Sequence, residues 1–227
     1  GKLITTGDHN TAVGYNALDA STTAGQSTAI GRSALGATTV GSNTAVGYSC
    51  MATNTTGSGN AALGNQALSA NTEGANNTAI GYQASQANTE GEKNTSLGYG
   101  ALIANTTGSH NISIGYQSLH DNLTGDSNTV IGWRALEKNE SGDGNVAVGR
   151  DALGESTASN LTAVGKEALA ANTTGTENVA VGYQALFTNV DGDHNTALGY
   201  KALYTFEADT DGHGENTAVG AHAGNGI

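Results

Sequence analysis

Polar and apolar positions recur along this chain with a period of seventeen residues. A short string, Asn-Thr-Ala followed by an aliphatic residue and Gly, starts at Asn10, Asn43, Asn60, Asn77, Asn94, Asn111, Asn128, Asn145, Asn178, Asn195 and Asn216. Degenerate copies start at Ser27 and Leu161, which makes 13 copies; nine of the 12 spacings are 17 residues, two are 16 and the last is 21. The consensus reads N-T-A-(V/I/L)-G-Y-x-A-L-x-x-N-T-T-G-x-x. Self-similarity at a short fixed period is the signature of a solenoid, in which each repeat stacks on the next. The copies are numbered here as coils one to thirteen, and the places within each as positions one to seventeen.

A helical coil is excluded by the Gly at positions five and fifteen and by the Asn and Thr content. Alternation over the first five positions instead predicts a short strand, with positions two and four on one face and position three on the other. Position four is Val, Ile or Leu in all 13 copies, so this face reads as the coil interior. Position two is Thr in nine copies and Ile, Val or Ala in the rest, which reads as a semi-buried strand site. Position three is small everywhere except Val130, which predicts close approach of another backbone, either that of another chain or that of the coil itself. Position five is always Gly: Gly14, Gly31, Gly47, Gly64, Gly81, Gly98, Gly115, Gly132, Gly149, Gly165, Gly182, Gly199 and Gly220. Such a corner needs positive φ or has no room for a Cβ. A second corner falls at Gly57, Gly74, Gly108 and Gly125, after Asn-Thr-Thr. The Ala-Leu pair at positions eight and nine adds a second apolar stretch.

The predicted fold is therefore all-β, a parallel β-solenoid or β-roll of about 13 coils. It divides into a partial first coil over 1–9, regular repeats over 10–203, an inserted loop over 204–215 and a terminal partial coil over 216–227. At about 4.8 Å per coil the rod is on the order of 60 Å long. Each coil has a thin core, so burial of one or two aliphatics, roughly 1.5–3 kcal/mol each, hardly offsets backbone ordering at roughly 1–2 kcal/mol per residue. Stacked backbone and Asn amide ladders help. The natural remedy is self-association, and a homotrimer is predicted.

Composition narrows the partners. Gly supplies 34 residues, Pro none and Phe only 2, and the formal net charge is −12 from 8 basic and 20 acidic residues. Nucleic-acid binding needs clustered cations and is excluded on this balance, as is docking on anionic lipid. No apolar run approaches the roughly 18 residues that span a bilayer, so membrane insertion is not expected. Cys50 is the single cysteine, so no intrachain disulfide can form.

The string Asn-Thr-Ala-Val-Gly, as at Asn43 to Gly47, resembles the core motif of trimeric autotransporter adhesin heads. The longer pattern running from Asn94 to Gly108 is similar to repeats of phage tail-fibre proteins. The resemblance extends from about Gly7 to Gly224 and implies a left-handed β-roll in which three chains associate side by side. It further implies an extracellular fibre segment, of a virion tail or alternatively of a bacterial cell surface. It departs from the adhesin heads in its longer repeat.

Chemistry is sparse. Position six forms an aromatic column of Tyr15, Tyr48, Tyr82, Tyr99, Tyr116, Trp133, Tyr183 and Tyr200. Such a row is a candidate contact for surface polysaccharide, or a ladder that covers the corner glycines. Arg32, Arg150 and Lys166 replace the aromatic in three copies, as solvent exposure allows. His9, His110 and His194 share the position before the anchor Asn, without the spacing of metal ligands; His213 and His222 also lack ligand-like partners. Glu207, Asp209 and Asp211 alternate in the insertion but match no calcium loop. No catalytic constellation, cofactor motif or metal site stands out. A structural or adhesive role is expected, with an ice-binding solenoid as a further alternative because Thr recurs in columns.

Overall fold

The structure is a computed structural model, and it describes residues 7–206 and 214–225. The acidic insertion with Glu207, Asp209 and Asp211, and His213, lie outside the described residues. The chain divides into two compact units, residues 1–111 and residues 112–227. Each is a parallel β-solenoid, and no helix occurs among the described residues. Every strand is three residues long and occupies positions two to four, from Thr11–Val13 in the first coil to Thr217–Val219 in the last. Six strands lie in the first unit and seven in the second, 13 in all. Within each unit neighbouring strands pair in parallel and in exact repeat register, Ala62 opposite Ala79 and Ala180 opposite Ala197. The bends carry the same ladder onward, for example Leu68 N–H to the Ala84 carbonyl at 3.0 Å.

The two faces of the strand are the reverse of the sequence expectation. Position three points into the coil: Ala62 is 2% exposed and Ala197 0%. Position four points out: Leu63 is 50% exposed and Leu198 46%. The small residues are therefore an intramolecular core column, not a contact for another chain. The reason is room. Each coil closes on itself, and the interior opposite the strand is filled by position nine, where Leu18, Leu35, Leu102, Leu136 and their equivalents are fully buried. With a Leu entering from one side, the strand contributes only a small residue from the other, Val130 being the one larger side chain buried there. The Ala-Leu stretch thus lies on the side of the coil that the sequence predicts, and the aliphatic of the strand does not. Where Ser85 replaces the Leu, its hydroxyl bonds Ser96 at position three of the next coil at 2.9 Å. Ser113 and Ser118 form a second buried hydroxyl pair at 2.6 Å.

The corners follow from backbone geometry. Gly at position five has φ between +122° and +149° throughout, a region closed to side chains. A Cβ on Gly81 would also collide with the Gly98 carbonyl oxygen. Positions seven, nine and seventeen are left-handed as well, mostly in non-glycine residues such as Gln83 (φ 56°), Leu68 (φ 50°) and Gln26 (φ 58°). Each costs backbone energy that the surrounding ladder and the burial of Leu must offset. Where position twelve is Asn, position fifteen is Gly because of space, since a Cβ on Gly74 would meet the Gly91 carbonyl and the Asn71 side chain; Ala24, Val40 and Ala158 stand there in the coils of Ser21, Thr38 and Ser156.

Two columns of buried Asn tie the coil together. The Asn at position one donates to the carbonyl at position fifteen of its own coil, as Asn60 Nδ2 does to Gly74 at 2.9 Å. Its Oδ1 accepts the backbone N–H of the same position one coil on, Asn60 to Asn77 at 2.8 Å. The Asn at position twelve donates both to its own position fifteen and to the Asn one coil back, as Asn88 does to Gly91 (3.0 Å) and to Asn71 Oδ1 (2.7 Å). This is an amide ladder inside a single chain, of the kind the repeat predicts.

The two 16-residue coils lack position fourteen and have exchanged that Asn for a shorter hydroxyl. Thr38 donates across two residues to the Val40 carbonyl at 3.0 Å, where an Asn spans three. Ser156 accepts the Ala158 N–H, also two residues away, at 3.3 Å. Side-chain reach therefore matches loop length. Ser21 supplies the converse: a short side chain in a full-length coil, whose buried hydroxyl has no partner.

Candidate functional site

Each coil presents three surfaces of different character. The strand face carries no charged residue at positions two to four in any copy. Its aliphatics are exposed at Val13, Ile30, Leu63, Ile80, Leu97, Ile131, Leu198 and Val219, joined by Ile112 and Val179 from position two. In the first unit a shallow apolar hollow opens where Ala61 replaces the Thr of position two, lined by Thr44, Val46, Ala61, Ala62, Leu63 and Ile80. On the edge at positions thirteen to seventeen, the second unit carries Asp126, Glu140, Asp143, Glu177, Asp191, Asp193 and Glu215, with no Lys or Arg at the described positions. Some of these carboxylates have local work. Asp143 accepts the Asp126 N–H at 2.7 Å and Asp193 the Thr176 N–H at 2.6 Å, each in place of a missing ladder bond.

The side at positions six to eleven balances its charges. Arg134 pairs with Glu137, Lys138 with Asp121, Arg150 with Asp151 and Lys166 with Glu167. Burial pushes the Asp121 carboxyl up, but hydrogen bonds from His120 and Lys138 outweigh it and hold the group below the usual carboxylate range. Glu167 is held below its ordinary value by the hydrogen bond from Gln184, reinforced by Lys166.

The aromatic column stands on this side. Tyr15, Tyr48, Tyr82, Tyr99, Tyr116, Trp133 and Tyr200 are exposed and Tyr183 is half-buried. The rings stack along the coil axis: Tyr82 on Tyr99 at 5.2 Å, Tyr116 on Trp133 at 6.1 Å and Tyr183 on Tyr200 at 5.5 Å. The basic substitutions join the same stack. Arg32 lies 5.9 Å from the Tyr15 ring and 5.7 Å from Tyr48, Arg150 lies 4.9 Å from Trp133, and Lys166 lies 5.4 Å from Tyr183. A cation replaces a ring here because it is attracted to a neighbouring ring face: Arg32 lies between two rings, and Arg150 and Lys166, adjacent in the column, each lie against one. Much of each π-face is thereby engaged within the chain, and ring edges and hydroxyls remain outward.

Sequence reasoning missed a second stack at position ten, Phe187 on Tyr204 at 5.3 Å, with the Lys201 ammonium 4.6 Å from the Tyr204 ring. Its signal was present as two aromatics seventeen residues apart. The histidines of position seventeen owe their place to backbone conformation: His9, His110 and His194 have φ of 62°, 61° and 57°. His194 pairs with Glu177 at 3.0 Å, and His222 packs edge-on against Tyr200. Among the described residues no group of His, Cys, Asp and Glu is arranged to hold a metal ion. Cys50 is buried, which pushes its thiol up to about 12 and keeps it from acting as a nucleophile. Comparison with protein-family models, with curated proteins and with solved structures finds no match.

Proposed function

We propose that this chain is a structural and adhesive segment of an extracellular homotrimeric fibre, of the type that phage tails present to a host surface. One observation carries the reading: the strand face is uncharged, aliphatic and outward in coil after coil. A half-exposed Leu or Ile gains about 1 kcal/mol when covered, and repetition along each unit multiplies the gain. A second copy offers the same repeat spacing, so identical faces can meet without a mismatch of period. The role is reach and rigidity, with weak repeated contacts to surface polysaccharide along the aromatic side. Sedimentation velocity at micromolar concentration tests it. A trimer is expected for the parent chain, and dissociation on Leu63→Glu with Ile80→Glu. A folded monomer of the parent chain overturns the proposal.

A second reading, an ice-binding solenoid, draws on the Thr column of position two. That column is half-buried or exposed rather than enclosed, as at Thr44 and Thr78. It alternates with aliphatics instead of a second Thr. A thermal-hysteresis assay separates the readings, because only an ice binder depresses the freezing point of its solution below the melting point.

A further inference from the structure

The strand face of the first unit repeats with so little variation that two copies can meet on it at several heights. Position two is Thr in five of its six coils, and position four is Val, Ile or Leu in all six. Staggering one copy by a single coil, about 4.8 Å, leaves such a face in nearly the same contacts. Area alone therefore sets no alignment between chains.

Coil four departs from the repeat in a way that complements itself. Ala61 stands where the other five coils carry Thr, and it opens the hollow whose remaining walls are Thr44, Val46, Ala62, Leu63 and Ile80. Two residues along the same strand, Leu63 is 50% exposed, more than its strand partner Ile80 at 39%. A knob and a hole thus lie about 7 Å apart on one strand, on a face without charge. The margin beyond the knob is cut back as well. Position six is Asn65 here, between Tyr48 and Tyr82 of the adjacent coils.

Symmetry decides what meets the hole. Rotation about an axis parallel to the coil stack brings position four of one copy against position two of the next, at equal height. This holds for a ring of two members or of three. Leu63 then enters the hollow at Ala61. A two-fold axis along the strand makes the copies antiparallel and sets like on like, hole on hole and Leu63 on Leu63. A parallel pair staggered by one coil sets Leu63 on Thr44 or Thr78, outside the hollow.

We propose that coil four is the alignment key of self-association, with Leu63 of one copy seated in the Ala61 hollow of the next, parallel and without stagger. This inference rests on the reading of the strand face as the surface on which copies meet. An apolar anchor in a hole it fills carries a large share of an interface, and the same contact penalises alignments that miss it.

The test uses the full chain carrying Cys50→Ala, which removes the native thiol and supplies the residue usual at position eight. Chains with Ala61→Cys or Leu63→Cys, distinguished by a mass tag, are refolded alone and as an equal mixture, then mildly oxidised. A disulfide between positions 61 and 63 of different chains forms in the mixture, and neither chain links alone. Mixtures of Leu63→Cys with Thr44→Cys or Thr78→Cys link more slowly. Ala61→Ile, a residue that position two accepts at Ile112, fills the hole and weakens assembly roughly tenfold or more in sedimentation. Adding Leu63→Ala exchanges knob and hole and recovers assembly. The key is overturned if the 61–63 link does not form, if either chain links alone, if a staggered pair links as readily, or if Ala61→Ile assembles like the parent. An oligomeric parent with any of those results keeps the strand-face reading and loses the key, whereas a folded monomeric parent sinks both.

Discussion

Replacing Asn88 by Ser removes the central member of the position-twelve ladder without changing the strand, the corner or the hydrophobic core. Asn88 is fully buried and makes three side-chain hydrogen bonds: to Asn71 Oδ1 at 2.7 Å, to the Gly91 carbonyl at 3.0 Å and from Asn105 Nδ2 at 2.7 Å. A Ser hydroxyl at this place cannot span three residues, as Ser21 demonstrates in a coil of the same length. Gly91 keeps the donor from Asn77 and Asn105 keeps its bond to Gly108, and the second Asn105 N–H turns to the Ser hydroxyl as Asn54 does to Thr38 and Asn172 to Ser156, so one group is orphaned, the Asn71 oxygen. At about 1–3 kcal/mol for a buried unsatisfied group, that is the expected cost. For a chain of this size it lowers Tm by roughly 2–12 °C in thermal unfolding followed by circular dichroism. The same reasoning predicts a rescue. Deleting Glu90 from the Ser variant recreates the short loop of the Thr38 and Ser156 coils, in which a hydroxyl reaches its backbone partner. The double change is expected to recover at least half of the loss. A single variant within about 1 °C of the parent, or a double variant less stable than the single, refutes the link between side-chain reach and loop length.

Four further expectations are open to direct measurement. Ser21→Asn together with Ala24→Gly, which clears the Cβ that an Asn at position twelve would meet, restores the missing reach in coil one and should raise Tm by roughly 2–4 °C, the equivalent of one net hydrogen bond. Gln26→Gly relieves a left-handed exposed residue and should stabilise by about 1 kcal/mol in denaturant titration; Gly81→Ala, which meets both forbidden φ and a carbonyl, should abolish cooperative unfolding of its unit. Because Glu167 is held below its ordinary value, the unfolded chain takes up its proton first as pH falls. Its contribution is therefore complete above the ordinary glutamate range of about 4.3 and is lost as pH drops through the lower folded value. The Tm difference between parent and Glu167→Gln should accordingly be present at neutral pH and vanish at strongly acidic pH; a difference that persists in acid would show that the charged form is not what matters.

Much of this fold could be read from residue order. Period, strand position, the corner at position five and the amide columns all follow from which residues recur and at what interval. The orientation of the strand did not. Hydrophobic scale alone sends Val, Ile and Leu inward and leaves Ala for the surface, and here the volume of the coil decides the opposite. Leu at position nine already fills the interior, so the strand can contribute only Ala62, Ala79 and their equivalents. The positive φ of Leu68 and Leu102 was equally illegible, since nothing in a buried Leu announces left-handed backbone. The link between loop length and position twelve was legible in principle, because the two short spacings are the ones whose Asn is replaced by Thr38 and Ser156. At the candidate site, the position-six column was visible as a row of aromatics. The hollow at Ala61 was not, because it depends on which face of the strand is outward.

The near identity of coils raises a difficulty for the folding chain, since a strand that skips a neighbour and pairs one coil further on finds almost the same partners. Such a slip leaves one coil looped out and the rest satisfied, and little in the repeat itself penalises it. The exceptional coils remove that degeneracy. A nascent coil shifted by one repeat would part Ser85 from Ser96 and Arg150 from Trp133, contacts that only the native register makes. Irregularities that look like erosion of a perfect repeat thus act as frame markers, and a consensus version in which every coil is identical is expected to refold more slowly and to mixed products.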